Sequence, residues 1–294
     1  MIHDNWKAIQ RYIDLYKVIV TGKYQLRRYM LYHLDVGAYY VAAFGTGVGS
    51  AQTNRLLELL AANGREFGRK FVKVVKVGTC SALQGGLDFG DVVVPAQALI
   101  DEGATKWRRI KKDHDDGRFN TQGAVLKYIQ EHEVALPDRS LSSGVANALA
   151  RTLGNQPRTD WGVWSVDSYE SFDQSPALYG QVEGQSYKVP EFLGGPQSAV
   201  TLAGVEMECS SLFSSARASH PTPEISAAAV IVVSRTRDLL LYQNARDLPS
   251  GAPPTVADGI PKSEPLRDTN RIEDVEDLCM RAVVNFLSTC WIPP

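Results

Sequence analysis

The sequence predicts an α/β fold, and two features of its apolar pattern carry this prediction. Three apolar runs rich in Val, Ile and Ala are bounded by Gly, Ser or Thr, and they span residues 38–50, 71–83 and 225–238. Runs of this kind are typical of strands in a sheet that is covered on both faces. Helical patterns lie between and after these runs. Strands that alternate with helices indicate an α/β fold, in which ligands bind where the strands end.

The remaining elements are predicted from the same periodicities, in chain order. Residues 2–16 carry an apolar stripe but no continuous apolar core and no small-residue cleavage site. This predicts a surface helix, and neither a signal peptide nor a membrane span. Further strands are predicted within 90–100 and 159–168. Helices are predicted over 51–64, 205–219 and 271–290, with Gly64 as the C-cap of the first.

Two stretches lack a regular pattern. The charged stretch 111–120 is predicted to be a loop. The Pro-, Gly- and Asp-rich stretch 245–265 is interpreted as a lid or a mobile excursion. The sequence contains no internal repeat, and we expect a single domain over residues 1–294.

Composition and charge exclude several classes of partner. The 31 basic and 33 acidic residues give a formal net charge of -2, so the chain lacks the positive charge that binds nucleic acid or an anionic membrane. The expected partner is a small molecule or another copy of the chain. The four cysteines form no CxxC pair, so the sequence indicates neither a zinc site nor a disulfide framework. A reduced, cytoplasmic protein without a metal fits this pattern best.

A glycine-rich motif follows the first apolar run. GTGVGS, residues 45–50, lies between a predicted strand and a predicted helix, where backbone N–H groups such as that of Gly47 can bind an anion. The motif lacks the last glycine of GxGxxG and the Gly-Lys-Ser/Thr of a Walker loop, so a simple tight turn is an equal alternative. In the second run, Lys76 and Thr79 can meet a phosphate, and the alternative for Lys76 is a side chain that snorkels at a strand edge.

A third motif places two carboxylates around a methionine. GVEMECSS, residues 204–211, contains Glu206, Met207 and Glu208. If this motif starts a helix, the side chains of Glu206 and Glu208 point in different directions, which argues against an acid/base pair that shares a proton.

Five motifs follow one another along the chain over about residues 25–240: GTGVGS, VGTCSALQGGLDFGDVVV followed by DEGAT, SVDSYE, GVEMECSSL and VIVVSRT. In this order they resemble the nucleoside phosphorylase family, which includes uridine phosphorylase, hexameric purine nucleoside phosphorylase and methylthioadenosine nucleosidase. The resemblance implies a three-layer α/β/α sandwich around a mixed central sheet. It also implies cleavage of the N-glycosidic bond of a nucleoside, with phosphate as co-substrate and no cofactor, in a homo-oligomer that is a dimer or a trimer of dimers.

The resemblance further assigns roles around the sugar and the phosphate. Glu208 would bind the ribose 2′- and 3′-hydroxyls, because a carboxylate accepts two hydrogen bonds from a diol, and Met207 would pack on the sugar. Thr79 would bridge ribose and phosphate. The phosphate would be bound by Lys76, Thr79, Gly47 and either Arg27 or Arg28.

Other residues would surround the base. The backbone around Cys80 and Ser81 would line its pocket, and a small buried residue without a nucleophilic role is an equal alternative for Cys80. Glu206 would lie near the base, and Tyr169 would stack on it unless it is a core aromatic. Arg235 stands where purine phosphorylases carry an aspartate and uridine phosphorylases carry an arginine. An arginine can stabilise negative charge on departing uracil, which favours a uridine-like substrate. The alternative is that Arg235 or Arg237 forms an ion pair with Asp238 at the end of the strand.

The sequence departs from the family at three points. Phe172 and Gln174 stand at the base, where uridine phosphorylases carry the Gln-x-Arg pair that reads uracil, so either Gln174 replaces part of that contact or the base differs. No Gly-Asp-Pro-x-Arg-like phosphate loop is present near the N-terminus, and Lys76 replaces an arginine, which removes a bidentate contact to phosphate. His3 is a candidate for the family's ribose 5′-hydroxyl ligand. Hydrolysis of a purine or pyrimidine nucleoside, or binding without catalysis, therefore remain alternatives to phosphorolysis.

Overall fold

Two long strands form the centre of the computed structural model. It describes residues 1–3, 5–26, 29–36, 39–45, 49–66, 68, 71–100, 134–166, 186–188, 199–218, 224–236 and 269–289. The strands in these ranges are β1 Ile2–His3, β2 Ile19–Leu26, β3 Tyr29–Val36, β4 Tyr39–Gly45, β5 Phe71–Ala82, β6 Val92–Val93, β7 Ala98–Ile100, β8 Val134–Ala135, β9 Gly162–Ser165, β10 Ser186–Lys188, β11 Ala199–Glu206 and β12 Glu224–Arg235. The helices are α1 Trp6–Tyr16, α2 Ser50–Glu66, α3 Arg139–Leu153, α4 Cys209–Ala218 and α5 Thr269–Thr289.

The sheet is mixed, and β5 branches to three neighbours. The main path is β2-β3-β4-β1-β5-β11-β9-β7-β8, while β12 pairs with β5 and β6, and β10 pairs with β11. β12 runs parallel to β5 from Phe71 to Ser81. The other edge of β5 pairs first with β1, in parallel, and then with β11, antiparallel. The final residues of β5 therefore lie between β11 and β12.

Both faces of the central strands are buried under helices. On one face, Val75 and Val77 of β5 belong to a core that α1, α3 and α5 cover. On the other face, Val74, Cys80 and Ala82 of β5 belong to a second core that α2 and α4 cover. Because successive side chains of a strand alternate between faces, one apolar run supplies both cores. This arrangement confirms the α/β/α sandwich with a mixed central sheet.

The three apolar runs are strands, as predicted, and they become β4, β5 and β12. The segment 90–100 instead forms two short strands, because Pro95 between them has no N–H to donate to a ladder. The segment 159–168 supplies β9. Residues 6–16 form the expected surface helix, whose buried stripe is Ala8, Ile9, Tyr12 and Ile13.

Several helix boundaries differ from the prediction. The helix predicted over residues 2–16 begins at Trp6, because Ile2 and His3 pair with β4 and β5 as β1. Gly64 is not a C-cap, because α2 continues to Glu66 and Gly64 is buried within it. The helix predicted to begin at residue 205 begins at Cys209, because Val205 and Glu206 still belong to β11. Propensity alone does not mark that boundary, and the pairing of Glu206 with Ser165 of β9 decides it.

Some elements were not predicted at all. They include β1, which is too short for a periodic signal, the β2–β3 hairpin and α3. The α3 helix has recognisable ends, since the Asp138 carboxylate accepts from the Leu141 N–H at its start and Gly154 adopts φ 75° at its end. The predicted loop 111–120 and the predicted lid 245–265 lie outside the described residues. None of the helices in the described part of the chain has an apolar stretch of the length that crosses a bilayer.

Candidate functional site

The candidate site lies on the α2/α4 face of the sheet, where β11 ends and two helices begin. Lys76 of β5 pairs in register with Ala229 of β12 and with Ile2 of β1, so its side chain shares the face of their second-core side chains. The chain leaves β11 at Glu206 and enters α4 at Cys209. The first turn of α2 meets this strand-to-helix connection. Three of the residues that the sequence singled out come together here.

Lys76, Glu206 and Glu208 form a buried charged cluster. The Lys76 ammonium donates to Glu206 Oε2 at 2.8 Å and to Glu208 Oε2 at 2.5 Å. Each of the three side chains is at most 4% exposed. The snorkelling alternative for Lys76 is therefore wrong, because the side chain reaches a partner inside the protein instead of solvent.

The expectation that Glu206 and Glu208 point in different directions is also wrong. That expectation placed both residues at the start of a helix, whereas they occupy the turn from β11 into α4. A turn does not follow the helical period, and here it aims both carboxylates at the Lys76 ammonium.

Glu206 caps the N-terminus of α4. Its carboxylate accepts from the Glu208 N–H at 2.8 Å and from the Cys209 N–H at 2.9 Å, and the Ser165 hydroxyl also donates to it. Burial raises the pKa of a carboxyl, but the Lys76 charge and these hydrogen bonds hold the pKa of Glu206 below its usual range. Glu206 is therefore a carboxylate at neutral pH.

Glu208 spans the space between Lys76 and the N-terminus of α2. Its Oε1 accepts from the Gly49 N–H at 2.5 Å, while its Oε2 accepts from Lys76. Gly49 has φ 108°, a conformation that side-chain-bearing residues rarely adopt. The adjoining Ser50 hydroxyl donates to the Met207 carbonyl at 3.0 Å, which ties α2 to the same turn. Part of the GTGVGS motif thus binds an anion, and that anion is the protein's own carboxylate.

Four further described candidates, Thr79, Cys80, Ser81 and Arg235, lie at the ends of β5 and β12. Thr79 and Cys80 pair in register with Val232 and Val233 of β12, and Ser81 pairs with Arg235 across a register shift. Burial raises the pKa of the Cys80 thiol to about 12, with a further contribution from the Glu206 charge. A thiol with this pKa is protonated at neutral pH, so Cys80 has no nucleophilic character there.

Six of the predicted site residues lie outside the described residues. They are Arg27, Arg28, Gly47, Tyr169, Phe172 and Gln174. Their roles stay predictions. The same holds for the roles of Met207, Thr79, Ser81 and Arg235 toward a ligand.

Sequence reasoning missed Ser165 and Gly49 as parts of the cluster. Ser165 ends β9 and pairs in register with Glu206 of β11. The SVDSYE motif contains Ser165, but only the strand pairing reveals that its hydroxyl faces Glu206.

A second buried cluster lies on the opposite face of the sheet and contains His3. The Asn5 N–H donates to His3 Nδ1 at 2.9 Å, so Nε2 carries the ring proton and donates to Glu276 of α5 at 3.0 Å. Arg11 of α1 binds Glu276 at 2.7 Å and Asp277 at 2.9 Å. His3 pairs with Val77 of the first core, so it faces away from Lys76.

Comparison with known proteins gives a match in structure only. No family model matches the sequence, and no curated protein matches it. A solved structure of a Trypanosoma brucei nucleoside phosphorylase, described as showing uridine phosphorylase activity, aligns with TM-score 0.66 and 12% identity over 98% of this chain and 92% of its own.

Other solved structures align over a similar extent. A Campylobacter jejuni 5′-methylthioadenosine/S-adenosylhomocysteine nucleosidase gives TM-score 0.60 and 11% identity over 98% of this chain and 97% of its own. A Vibrio fischeri uridine phosphorylase gives TM-score 0.58 and 16% identity over 98% of this chain and 90% of its own. The chain therefore has the fold of the nucleoside phosphorylases and nucleosidases, as the sequence resemblance implied.

Proposed function

We propose that this protein is an enzyme that cleaves the N-glycosidic bond of a nucleoside, with Glu208 binding the ribose 2′- and 3′-hydroxyls. The observation that supports this proposal is the fixed orientation of the Glu208 carboxylate. One oxygen binds the Gly49 N–H and the other binds Lys76, at the end of β11 where α/β proteins place their ligands.

Such a carboxylate favours the transition state over the ground state. As the bond between the anomeric carbon and the base breaks, its electron pair leaves with the base and positive charge develops on the sugar. Hydrogen bonds from the ribose hydroxyls to Glu208 strengthen as this charge develops. Because Glu208 is already held by two donors, little reorganisation is needed at that moment.

The proposed substrate is a uridine-like nucleoside, and the proposed attacking group is inorganic phosphate. Arg235 at the end of β12 supports a pyrimidine, since a guanidinium stabilises the negative charge on departing uracil but does not protonate a purine. The oxygen of phosphate would bond to the anomeric carbon, which gives ribose 1-phosphate and the free base. The resemblance also supports a homo-oligomer.

Hydrolysis is the second candidate, and the charged cluster favours it. Lys76 supplies one positive charge, and the N-termini of α2 and α4 supply roughly half a charge each. These charges already face two carboxylates, Glu206 and Glu208. Among the described residues these charges balance, so a phosphate dianion at Lys76 would add negative charge to them, whereas water would not.

One assay separates these candidates. Purified protein is incubated with uridine, thymidine, inosine or adenosine, with and without phosphate, and the base and sugar products are separated by chromatography. Uracil and ribose 1-phosphate that form only with phosphate support phosphorolysis, whereas ribose that forms without phosphate supports hydrolysis.

Variants connect the assay to the site. Glu208→Gln should lower kcat/KM by at least about 100-fold, because a carboxylate that serves the transition state is replaced by a neutral amide. Glu58→Gln is the control, since this α2 carboxylate is 67% exposed. The proposal fails if the wild type releases no base from any of the four nucleosides, or if Glu208→Gln is as active as the control.

A further inference from the structure

Glu206 has no capacity left to bind a ligand. Four donors bind its two oxygens: the Lys76 ammonium, the Ser165 hydroxyl, and the N–H groups of Glu208 and Cys209. A carboxylate offers about four acceptor positions. All four are thus used inside the protein, although the family resemblance places Glu206 near the base.

Ser165 is fixed as tightly as Glu206. The Ser210 N–H donates to Ser165 Oγ at 2.8 Å, which occupies a lone pair of the hydroxyl. The hydroxyl proton then points to Glu206. Since Ser165 belongs to β9 and Ser210 to α4, this serine joins two elements at the point where Glu206 ends β11.

Lys76 connects this rigid group to Glu208. A lysine side chain has four rotatable methylenes and holds a defined position only when its ammonium is bound. Glu206 binds the ammonium at 2.8 Å, and the same ammonium binds Glu208 Oε2. The direction of the Glu208 carboxylate therefore depends on contacts that Glu208 does not itself make.

We infer that Ser165 and Glu206 are positioning residues, which fix the Lys76 ammonium and through it orient Glu208, and that Glu206 does not read the base. This inference rests on the proposed function for what Glu208 binds. It assigns Lys76 to the ribose-binding carboxylate and not to phosphate. The charges of the described residues agree with this assignment, because Lys76 and the two helix N-termini match the two carboxylates.

The first test uses Ser165→Ala and measures the position of Glu208 without a substrate. Protein with 13C at the glutamate side-chain carboxyls is studied by NMR, and the Glu208 resonance is assigned by its loss in Glu208→Gln. The Glu208 resonance should shift in Ser165→Ala, although the Ser165 hydroxyl donates to Glu206 and not to Glu208. In Ser165→Thr, which keeps the hydroxyl, the Glu208 resonance should return to its wild-type position.

Ser142→Ala is the matched control. The Ser142 hydroxyl is buried and has no hydrogen-bond partner among the described residues, so the substitution removes a buried hydroxyl without breaking a hydrogen bond to any of them. An unchanged Glu208 resonance in Ser165→Ala, or an equal shift in Ser142→Ala, overturns the inference.

The second test uses turnover. Ser165→Ala should raise KM for the nucleoside about 2- to 10-fold, the equivalent of one weakened hydrogen bond. Glu206→Gln should lower kcat/KM for uridine and for inosine by the same factor. If Glu206 read the base, the substitution would instead change the ratio of kcat/KM for uridine to kcat/KM for inosine by orders of magnitude. That result would overturn the inference. A wild type without turnover refutes the proposed function, and the NMR shift then decides the positioning roles by itself.

Discussion

Removal of the Lys76 charge should destabilise the protein strongly and reverse the pH dependence of the contribution that Glu206 makes to its stability. Lys76→Met keeps most of the apolar stem but leaves Glu206 and Glu208 buried without their shared cation. Breaking a buried ion pair from one side costs about 3–5 kcal/mol. For a protein of this size, that loss corresponds to a fall in Tm on the order of 10 °C.

The pH dependence follows from the direction of the carboxyl pKa shifts. In the wild type the folded-state pKa of Glu206 is lowered, so its stabilisation is present above the unfolded pKa, about 4.3, and is lost as pH falls through the folded pKa. Without Lys76, burial and the neighbouring Glu208 should raise that pKa. In the variant, the contribution of Glu206 to stability should therefore be largest below about pH 4.3 and should fall as pH rises.

Thermal denaturation followed by circular dichroism from pH 4 to pH 8 measures both effects. The Tm difference between wild type and Lys76→Met should grow across this range. Lys73→Met, an exposed position on the same strand, is the control. The double variant Lys76→Met/Glu206→Gln removes one of the two carboxylates and should recover part of the lost Tm. The reasoning is refuted if Lys76→Met matches the control, or if its Tm deficit stays constant with pH.

Three further outcomes are expected. Gly144→Ala should destabilise the protein by about 1–3 kcal/mol in urea denaturation, because a Cβ at this position of α3 would overlap the Phe286 ring. Gly86→Ala is the control, since it adds a Cβ in open space and should leave the midpoint of urea denaturation unchanged. Asp138→Ala should cost about 1 kcal/mol by the same measurement, since it removes the N-cap of α3, and an unchanged midpoint would contradict that role. The buried thiols of Cys80, Cys209 and Cys279 should resist Ellman's reagent at pH 8 until the protein unfolds, because burial raises their pKa. Rapid labelling of any of the three in the native protein, detected by mass spectrometry, would contradict this.

The sequence was sufficient for the central strands and for the type of fold. β5 and β12 were recognisable because strands buried on both faces read as continuous apolar runs. β1 was not recognisable, since two residues carry no period, and only its position between β4 and β5 gives it structure. The α3 helix was missed although Leu141, Val145 and Leu149 form an apolar stripe and Asp138 and Gly154 mark its ends.

The candidate site could be predicted as a set of residues but not as a network. The motifs singled out Lys76, Glu206 and Glu208, and the structure brings them together. Their mutual contacts depend on where β11 ends, and a strand boundary depends on pairing with β9 and not on local sequence. Ser165 was missed for the same reason, because a serine at the end of a strand has no signal of its own.

The pairing of β5 with β12 also sets the order in which this protein can fold. These strands pair at eleven positions, although Phe71 and its partner Glu224 are more than 150 residues apart. During synthesis, on the order of 10 s would pass between the emergence of β5 and that of β12 from the ribosome. Pairing of strands that are so far apart in sequence is also slow in itself. Meanwhile the run FVKVVKVG is open to association with other chains, and Lys73 and Lys76 place charges within it that oppose such association. The lysine that later becomes buried beside two carboxylates thus first protects the unfolded strand from aggregation.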